Sequence, residues 1–471
     1  MDLLQTKDYI SLASYFTIID RLKYFNHKIS PLDQVMGLDT GLSGQQKTIV
    51  FASWFGWALD GYDLVLMLFV ISSVNQLFFF SGDPTLSLLA TFATYIVALV
   101  MRPVGGAVFG IFGDKYGRKK TMVITIIGFS TVTFVTGLLP TLQTVGIVAP
   151  ILLIILRFIQ GLFAGGEWAS GSVITMEMVP KKTRGLLSGF VQSGYSFGFV
   201  LASFVYGLML SIYPGHAFIE IGWRIMFFTG IIPGLIALII RVKMVESKIW
   251  LESKEQKKEI HKTPLKNVIY DKVQRKRILL ALIIMTGLMY SYYSSIGFMP
   301  VFLENYVNIS KNDVAIIMIV VTVAALIGTV FTGFISQRIG RMKTLTVFAF
   351  ASIILSVPLL YGLFVSTNIY EKMFYASILI FVSATAFGPI PAFLSERFPT
   401  EIRNTASGLV YNGGLIIGAW SPVIAISLLS NTKSFSPNLI PLALALNISI
   451  GGILLLIGSR LNPDTRNMNL N

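Results

Sequence analysis

The stretch Glu177–Gly189, EMVPKKTRGLLSG, returns 219 residues later as Glu396–Gly408, ERFPTEIRNTASG. Both read E-x-x-P-x-x-x-R-x-x-x-S-G, so Glu177, Pro180, Arg184, Ser188 and Gly189 correspond to Glu396, Pro399, Arg403, Ser407 and Gly408. Another Gly follows five residues on in each copy (Gly194, Gly413), and each copy lies between two long apolar segments. A membrane chain that repeats itself at this distance has two homologous halves. A site between two such bundles can open first to one side and then to the other, which is how transporters are built.

Composition agrees with a bilayer as solvent. Of the 471 residues, 54% are hydrophobic and 13% charged, about half the charged fraction of a soluble domain. A helix needs about 20 apolar residues to span the hydrocarbon. Apolar stretches centre near residues 64, 99, 130, 160, 199, 233, 291, 324, 353, 384, 417 and 448, which predicts twelve spans, six per half.

The formal charge of +14 would suit a nucleic-acid binder, but its distribution argues against one. Lys and Arg mark the cytoplasmic flank of membrane spans. With an internal N-terminus, all but six of the 37 basic residues fall in internal segments. The exceptions are Lys311, Lys372 and Lys433 in external loops, Arg224 at an external helix end, and Arg102 and Arg157 within spans. The expectation is a multi-pass protein of the cell membrane with both termini cytoplasmic. There is no cysteine, and His27, His216 and His261 are too dispersed for a metal cluster, so no metal or cofactor is expected.

The expected division is a cytoplasmic tail over 1–47, a six-helix bundle over 48–243, a linker over 244–277, a second six-helix bundle over 278–461 and a tail over 462–471. The first tail lacks the features of a signal peptide and suggests an interfacial helix near Tyr9 to Tyr24. Arg241 to Arg277 is the one long charged stretch, with twelve Lys/Arg and five Asp/Glu. Its Glu246-Ser247 and Trp250-Leu251 suggest amphipathic helices on the membrane surface. A second repeated element supports two halves: GIFGDKYGRKK over 110–120 corresponds to GFISQRIGRMK over 333–343 at an offset of 223, with Gln337 in place of Asp114.

Together these residues resemble the major facilitator superfamily over essentially the whole chain. The segment Gly110–Lys120 is similar to that family's signature between helices two and three. Arg102-Pro103-Val-Gly105-Gly106, Arg157-Phe-Ile-Gln160-Gly161 with Gly165-Gly166-Glu167-Trp168, and Ala58-Leu-Asp60-Gly61-Tyr62-Asp63 are similar to its proton symporters for organic acids, the sialate/lactate and aromatic-acid groups above all. The resemblance implies twelve transmembrane helices in two pseudo-symmetric six-helix bundles and alternating access. It further implies an organic acid carried with protons, H⁺ being the coupling ion.

An ionised side chain at bilayer depth costs at least about 2.5–3.5 kcal/mol, so each needs a partner or a task. Ser53, Gly56, Asp60 and Asp63 share one face of helix one, and Arg157, Gln160, Ala164, Glu167 and Gly171 share one face of helix four. At about 1.5 Å per residue both sets reach mid-membrane. The resemblance pairs Asp63 with Arg157 as a proton-coupling couple. Asp60 and Glu167 are further coupling candidates, and the alternative for all of them is a fixed structural pair. Arg102 faces two candidate partners, Asp60 and a substrate carboxylate, which a guanidinium grips with two parallel hydrogen bonds, and Arg157 is a second substrate-binding candidate.

The second half carries almost no charge within its spans. Its expected substrate contacts are neutral: Tyr290 and Tyr293 on one face of helix seven, Asn412, and Trp420, facing Gln192 and Tyr195 from helix five. On the internal face Asp114, Arg118, Glu177 and Arg184 of one half and Arg341, Glu396 and Arg403 of the other are placed to pair as a cytoplasmic gate. Asp114 is also placed to meet the N-terminus of helix eleven. Pro300, Pro389 and Pro391 with Gly297 and Gly388 mark kinks.

The sequence thus reads as a proton-coupled importer of a carboxylate-bearing metabolite, acting as a monomer in the bilayer, with no nucleic-acid partner. A sugar or polyol carrier is the alternative within transport, and a non-transporting nutrient receptor the alternative outside it. A drug antiporter fits Arg102 and Arg157 poorly. No nucleophile–base set, phosphate loop or metal site suggests an enzyme.

Overall fold

The computed structural model describes residues 41–79, 84–256 and 271–470. Its long helices are α1 (Gly44–Phe69), α2 (Pro84–Tyr116), α3 (Arg118–Gly137), α4 (Val148–Met178), α5 (Arg184–Ile212), α6 (Phe218–Val242), α7 (Lys272–Asn305), α8 (Lys311–Ile339), α9 (Arg341–Val365), α10 (Ile369–Ala384, resuming as Ile390–Arg397), α11 (Arg403–Leu429) and α12 (Pro437–Leu461). Eleven of these are long and apolar enough to cross a membrane, and the interrupted α10 makes the twelfth. Large apolar side chains such as Ile155, Ile232, Ile327 and Ile354 point outward and exposed, as a chain solvated by lipid requires. The interfacial helix expected near Tyr9–Tyr24 falls outside the described residues.

The described residues from Thr48 onward form one compact unit. Within it α2 packs on α4, and α12 packs on α7 and α9. The two halves meet along two seams, α5 against α8 and α11 against α2, which the sequence repeat relates to each other. At both seams the Gly of the doubled motif permits close backbone approach. A Cβ on Gly189 would lie 3.0 Å from the Gly333 Cα, and one on Gly408 would lie 3.0 Å from the Gly106 carbonyl oxygen. The tight turns from α2 into α3 and from α8 into α9 use Gly117 (φ 112°) and Gly340 (φ 108°), where a side chain would be strained.

α10 breaks at residues 385–389, just where Gly388, Pro389 and Pro391 remove helix propensity and amide donors. Exposed backbone groups at this depth must find protein partners. Thr332 Oγ1 donates to the Thr385 carbonyl at 2.7 Å. Ser188, the Ser of the first motif, donates to the Gly388 carbonyl at 2.6 Å and accepts from the Ala392 amide at 3.1 Å. Its counterpart Ser407 faces an unbroken helix, the 31-residue α4, and its buried hydroxyl has no partner. α7 is interrupted likewise between Ser294 and Met299, ahead of Pro300.

The linker departs from expectation. Its helix Lys248–Gln256 does not lay Trp250 on a membrane surface. Trp250 is buried, donates from Nε1 to the Asp114 carbonyl at 2.9 Å and lies under the Arg118 guanidinium. An indole with a hydrogen-bond partner and a cation above it gains more inside the bundle's basic end than at a lipid interface.

The α7–α12 crossing yields a direct test. A Cβ on Gly287 would sit 2.8 Å from the Gly451 carbonyl oxygen and 2.9 Å from the Leu455 Cα. Gly287→Val is therefore expected to cost about 1–3 kcal/mol through overpacking and to lower the unfolding temperature of the purified protein. An unchanged melting curve would show that the two helices are not packed this closely.

Candidate functional site

Three charged clusters line the interior of the first half, each fixed by the helix faces read from the sequence. In the middle one, Asp60 of α1 forms a salt bridge with Arg102 of α2. Arg102 also donates from Nε to Asn412 Oδ1 of α11 at 3.3 Å and lies over the Trp57 ring. Asp60 Oδ1, buried, has no hydrogen-bond partner. One turn along α1, Asp63 is joined to Arg157 through Gln160 and not directly. Gln160 Nε2 donates to Asp63, and Arg157 Nη1 donates to Gln160 Oε1 at 2.5 Å. The direct Asp63–Arg157 pair expected by resemblance is thus a bridged one, because the Gln160 amide supplies both a donor and an acceptor between them. Arg157 Nε and Nη2 and Asp63 Oδ1 are left without partners.

The third cluster lies nearer the bundle's basic end. Glu167 takes both prongs of the Arg241 guanidinium and accepts from Thr125 Oγ1 at 2.9 Å. Arg241 also donates to the Met122 carbonyl at 2.7 Å. In the sequence Arg241 opens the long charged stretch and carries no site role; its place directly after the apolar run Leu235–Ile240 is the available signal for burial.

Between the halves lies a cavity of about 30 Å³, walled by Arg102, Gln192 and Tyr195 from the first half and by Tyr292, Tyr293, Phe387 and Tyr411 from the second, with Trp57 above Tyr195. That volume holds one or two waters, so the site is closed around no more than solvent. Gln192 is fixed by Trp168, which donates to its Oε1 at 3.0 Å, and donates in turn to the Tyr411 hydroxyl at 2.8 Å. Tyr411 stacks on Trp168 with ring centroids 3.5 Å apart.

Four of the residues singled out from the sequence meet here: Arg102, Gln192, Tyr195 and Tyr293. Four others do not reach the cavity wall. Arg157 is held back on α4, where its Nη1 donates to Gln160. Tyr290 turns away and donates to Asn447 of α12 at 2.7 Å. The cavity-facing register of α7 is Met289, Tyr292 and Tyr293, at i, i+3 and i+4. Asn412 acts behind the wall, holding Arg102 and donating to the Gly165 carbonyl at 3.0 Å. Trp420 is exposed on the outer surface. Trp57, Tyr292, Phe387 and Tyr411 were not singled out, although Trp57 stands one turn before Asp60 on the charged face.

At the basic end the doubled motif closes on itself. Glu177 of the first copy accepts from Arg403 of the second at 2.7 Å, and Glu396 of the second copy pairs with Arg184 of the first at 3.3 Å. Each Glu also meets an Arg from the glycine-marked turn of its own half: Arg118 with Glu177 at 3.5 Å, and Arg341 with Glu396 at 3.1 Å. Asp114, bridged to Arg118 at 3.4 Å, accepts from the Thr405 amide at 2.9 Å and from the Asn404 amide at 3.3 Å at the N-terminus of α11. Gln337 takes the matching place at the start of α5, accepting from the Gly185 amide at 2.8 Å. An amide oxygen serves that single donor as a carboxylate would, which explains how the repeat tolerates the exchange.

A third repeated element completes the seal. Glu246-Ser247 after α6 and Asp464-Thr465 after α12 stand 218 residues apart. Glu246 accepts from the Arg118 and Lys119 amides, each at 3.1 Å, capping α3, and Asp464 accepts from the Met342 amide at 3.1 Å, capping α9. Ser247 and Thr465 donate to Glu177 at 2.5 Å and to Glu396 at 2.7 Å. Spread over two short dipeptides with different residues, this repeat is hard to see without the contacts.

The Major Facilitator Superfamily profile matches residues 48–422, and the chain belongs to that family of membrane transporters. It is 30% identical over 421 residues to the glycine betaine/proline/ectoine/pipecolic acid transporter OusA of Dickeya dadantii, covering 88% of this chain and 83% of the relative. It is 29% identical over 381 residues to the sialic acid transporter NanX of Escherichia coli, covering 81% and 86%. Among solved structures, the proton:xylose symporter XylE bound to 6-bromo-6-deoxy-D-glucose superposes with a TM-score of 0.72 at 18% identity, covering 90% of this chain and 98% of that one. At that identity the likeness is one of fold.

The basic end can be tested through the absence of cysteine from the chain. Glu396→Gln would leave Arg184 and Arg341 buried with a neutral partner. Breaking a buried pair in this way costs about 3–5 kcal/mol, so closure at this end should weaken. Introduced alone, Ser407→Cys is the only thiol, and in the Glu396→Gln background a membrane-permeant maleimide should label it at least about tenfold faster. Equal labelling rates would remove these pairs from the gate.

Proposed function

We propose that the chain imports a carboxylate-bearing organic solute together with protons by alternating access. The observation that carries this reading is Arg102. It is the one charged side chain among the described residues lining the cavity, and its present partner is a carboxylate. When Asp60 takes up a proton it loses its charge and its hold on Arg102, and a substrate carboxylate replaces it in the same geometry. Substrate and proton therefore favour the same loaded state, which is the coupling a symporter needs. Asp63, on the same helix as Asp60 and joined to Arg157 of α4 through Gln160, forms a second protonatable site. Glu167, committed on both oxygens to Arg241 and Thr125, is an anchor in this scheme and not a relay.

The loaded protein is then proposed to break the Glu177–Arg403 and Glu396–Arg184 pairs and open at the basic end. The positive-inside rule assigns that end to the cytoplasm, with the described C-terminus beside it. The carrier is proposed to act as a monomer in the cell membrane, since each chain contains a whole cavity.

A more specific form of this reading is favoured by the walls. Six aromatic rings (Trp57, Tyr195, Tyr292, Tyr293, Phe387 and Tyr411) line the cavity together with Arg102, Trp57 lying against its guanidinium. Such rings attract a quaternary ammonium through their π faces. A zwitterion with a carboxylate at one end and an onium group at the other would satisfy both sides, and the solutes in OusA's name support this. A sugar or polyol would use the Tyr and Gln hydroxyl and amide groups but leave Arg102 to Asp60.

The test is uptake of a panel of labelled organic acids, betaines and sugars into proteoliposomes under an imposed inward proton gradient. Accumulation should be confined to carboxylates, and Arg102→Gln should reduce it at least about tenfold, the loss of one charge-assisted contact. Asp60→Asn should retain exchange of internal for external substrate yet lose uphill accumulation. Uphill uptake by that variant would take the coupling role away from Asp60, and uptake restricted to sugars would overturn the carboxylate reading.

A further inference from the structure

A second recess, of about 400 Å³, opens at the basic end of the second half, away from the central cavity and from the gate. It is lined by Lys272, Val273, Lys276, Arg277 and Leu280 from the first two turns of α7 and by Arg397 from the end of α10. Four of these six residues are cations and none is an acid. Two acids adjoin these residues in sequence and both are engaged elsewhere: Asp271 caps α7 by accepting from the Val273 and Gln274 amides at 2.7 and 3.3 Å, and Glu396 pairs with Arg184 and Arg341. Arg277 Nη1 donates to the Arg397 carbonyl at 3.4 Å, which brings the two arginines to one wall of the recess. Arg397 Nε is buried and has no partner.

Like charges gathered in this way are unfavourable unless an anion joins them. The gate does not explain them. Arg397 follows the gate residue Glu396, whereas its counterpart in the first copy of the motif, after Glu177, is the uncharged Met178. The apolar side of the recess is equally suggestive. Asn462, at the end of α12, donates to the Leu280 carbonyl at 2.9 Å, and Leu279 and Leu461 beside that junction are exposed. Two arginines close to exposed leucines, where α7 begins and α12 ends, match a phosphate with acyl chains beside it.

We infer that this recess is a binding site for a phosphate-bearing anion, with the headgroup of an anionic phospholipid of the adjoining leaflet as occupant and free phosphate as the other source of the same chemistry. Lys272 and Lys276 are exposed and supply long-range attraction. Arg277 and Arg397 supply the directed hydrogen bonds.

Native mass spectrometry of the full-length protein, delipidated and then given an equimolar mixture of phosphatidylglycerol and phosphatidylcholine, tests the site. The wild type should retain phosphatidylglycerol preferentially. The Arg277→Gln/Arg397→Gln double variant should hold it about thirtyfold more weakly, from the contribution of two cations near an anionic headgroup. A control that removes two cations elsewhere at the same end, Lys182→Gln/Lys343→Gln, should leave retention unchanged. Should the arginine variant fail to fold, Lys272→Gln/Lys276→Gln, which alters only exposed side chains, should show a weakening in the same direction. Displacement of the lipid by millimolar inorganic phosphate would assign the site to the free ion, and resistance to displacement would assign it to the lipid. Equal retention of phosphatidylglycerol by the wild type and both recess variants would overturn the proposal.

Discussion

The Asp60–Arg102 ion pair is the constraint around which the interior is arranged. Both side chains are buried at the depth where the chain has lipid and not water around it. Neither could be left ionised there alone, because an unpaired charge in a low-dielectric interior costs several kcal/mol. The pair also cannot be replaced by packing without losing the one charged group among the described residues that lines the cavity. Everything adjacent serves to hold Arg102 in position while leaving part of its partner unsatisfied. Asn412 steadies Nε from the opposite half, Trp57 lies beneath the guanidinium, Gly165 lets α4 approach α2 closely, and Gly106 does the same for α11.

The two halves contribute unequally to this centre and equally to the seal below it. Charge comes from α1, α2 and α4, whereas α7, α10 and α11 bring aromatic rings and the broken segment at Gly388. At the basic end the symmetry is nearly complete. Glu177 and Arg184 of one motif bond Arg403 and Glu396 of the other, so each half carries the complement of the other's charge. Reciprocal pairing of this kind needs no matching of different surfaces, because one repeated sequence supplies both sides. It also makes closure cooperative, since separation of the bundles exposes both pairs together.

Much of this was legible before the fold was known. The doubled motif marks the two halves and the Glu and Arg residues that pair at the basic end, and the 3,4,3 spacing of polar residues on α1 and α4 marks the charged faces, because helical periodicity is a local property of the chain. What escaped was whatever depends on rotation or on partners distant in sequence. A helix rotated by one residue turned Tyr290 toward Asn447 and brought Tyr292 to the cavity. Gln160 stood on the expected face, but its bridging role emerges only when α1 and α4 are placed side by side. Trp250 was read as a surface anchor because its neighbours are charged, and only the position of Arg118 and the Asp114 carbonyl shows why it is buried. The α10 break was legible as Pro and Gly, yet the compensation by Ser188 depends on a contact between residues 200 positions apart.

In the proposed cycle a substrate carboxylate and Asp60 compete for Arg102, and a proton settles the exchange. The most direct measurement is proton uptake on binding: saturating substrate is added to the purified protein in weakly buffered solution, and the change in pH is recorded. The account predicts uptake of protons by the wild type that is abolished by Asp60→Asn while substrate still binds. Binding with no change in pH, or the same uptake by wild type and variant, would contradict it.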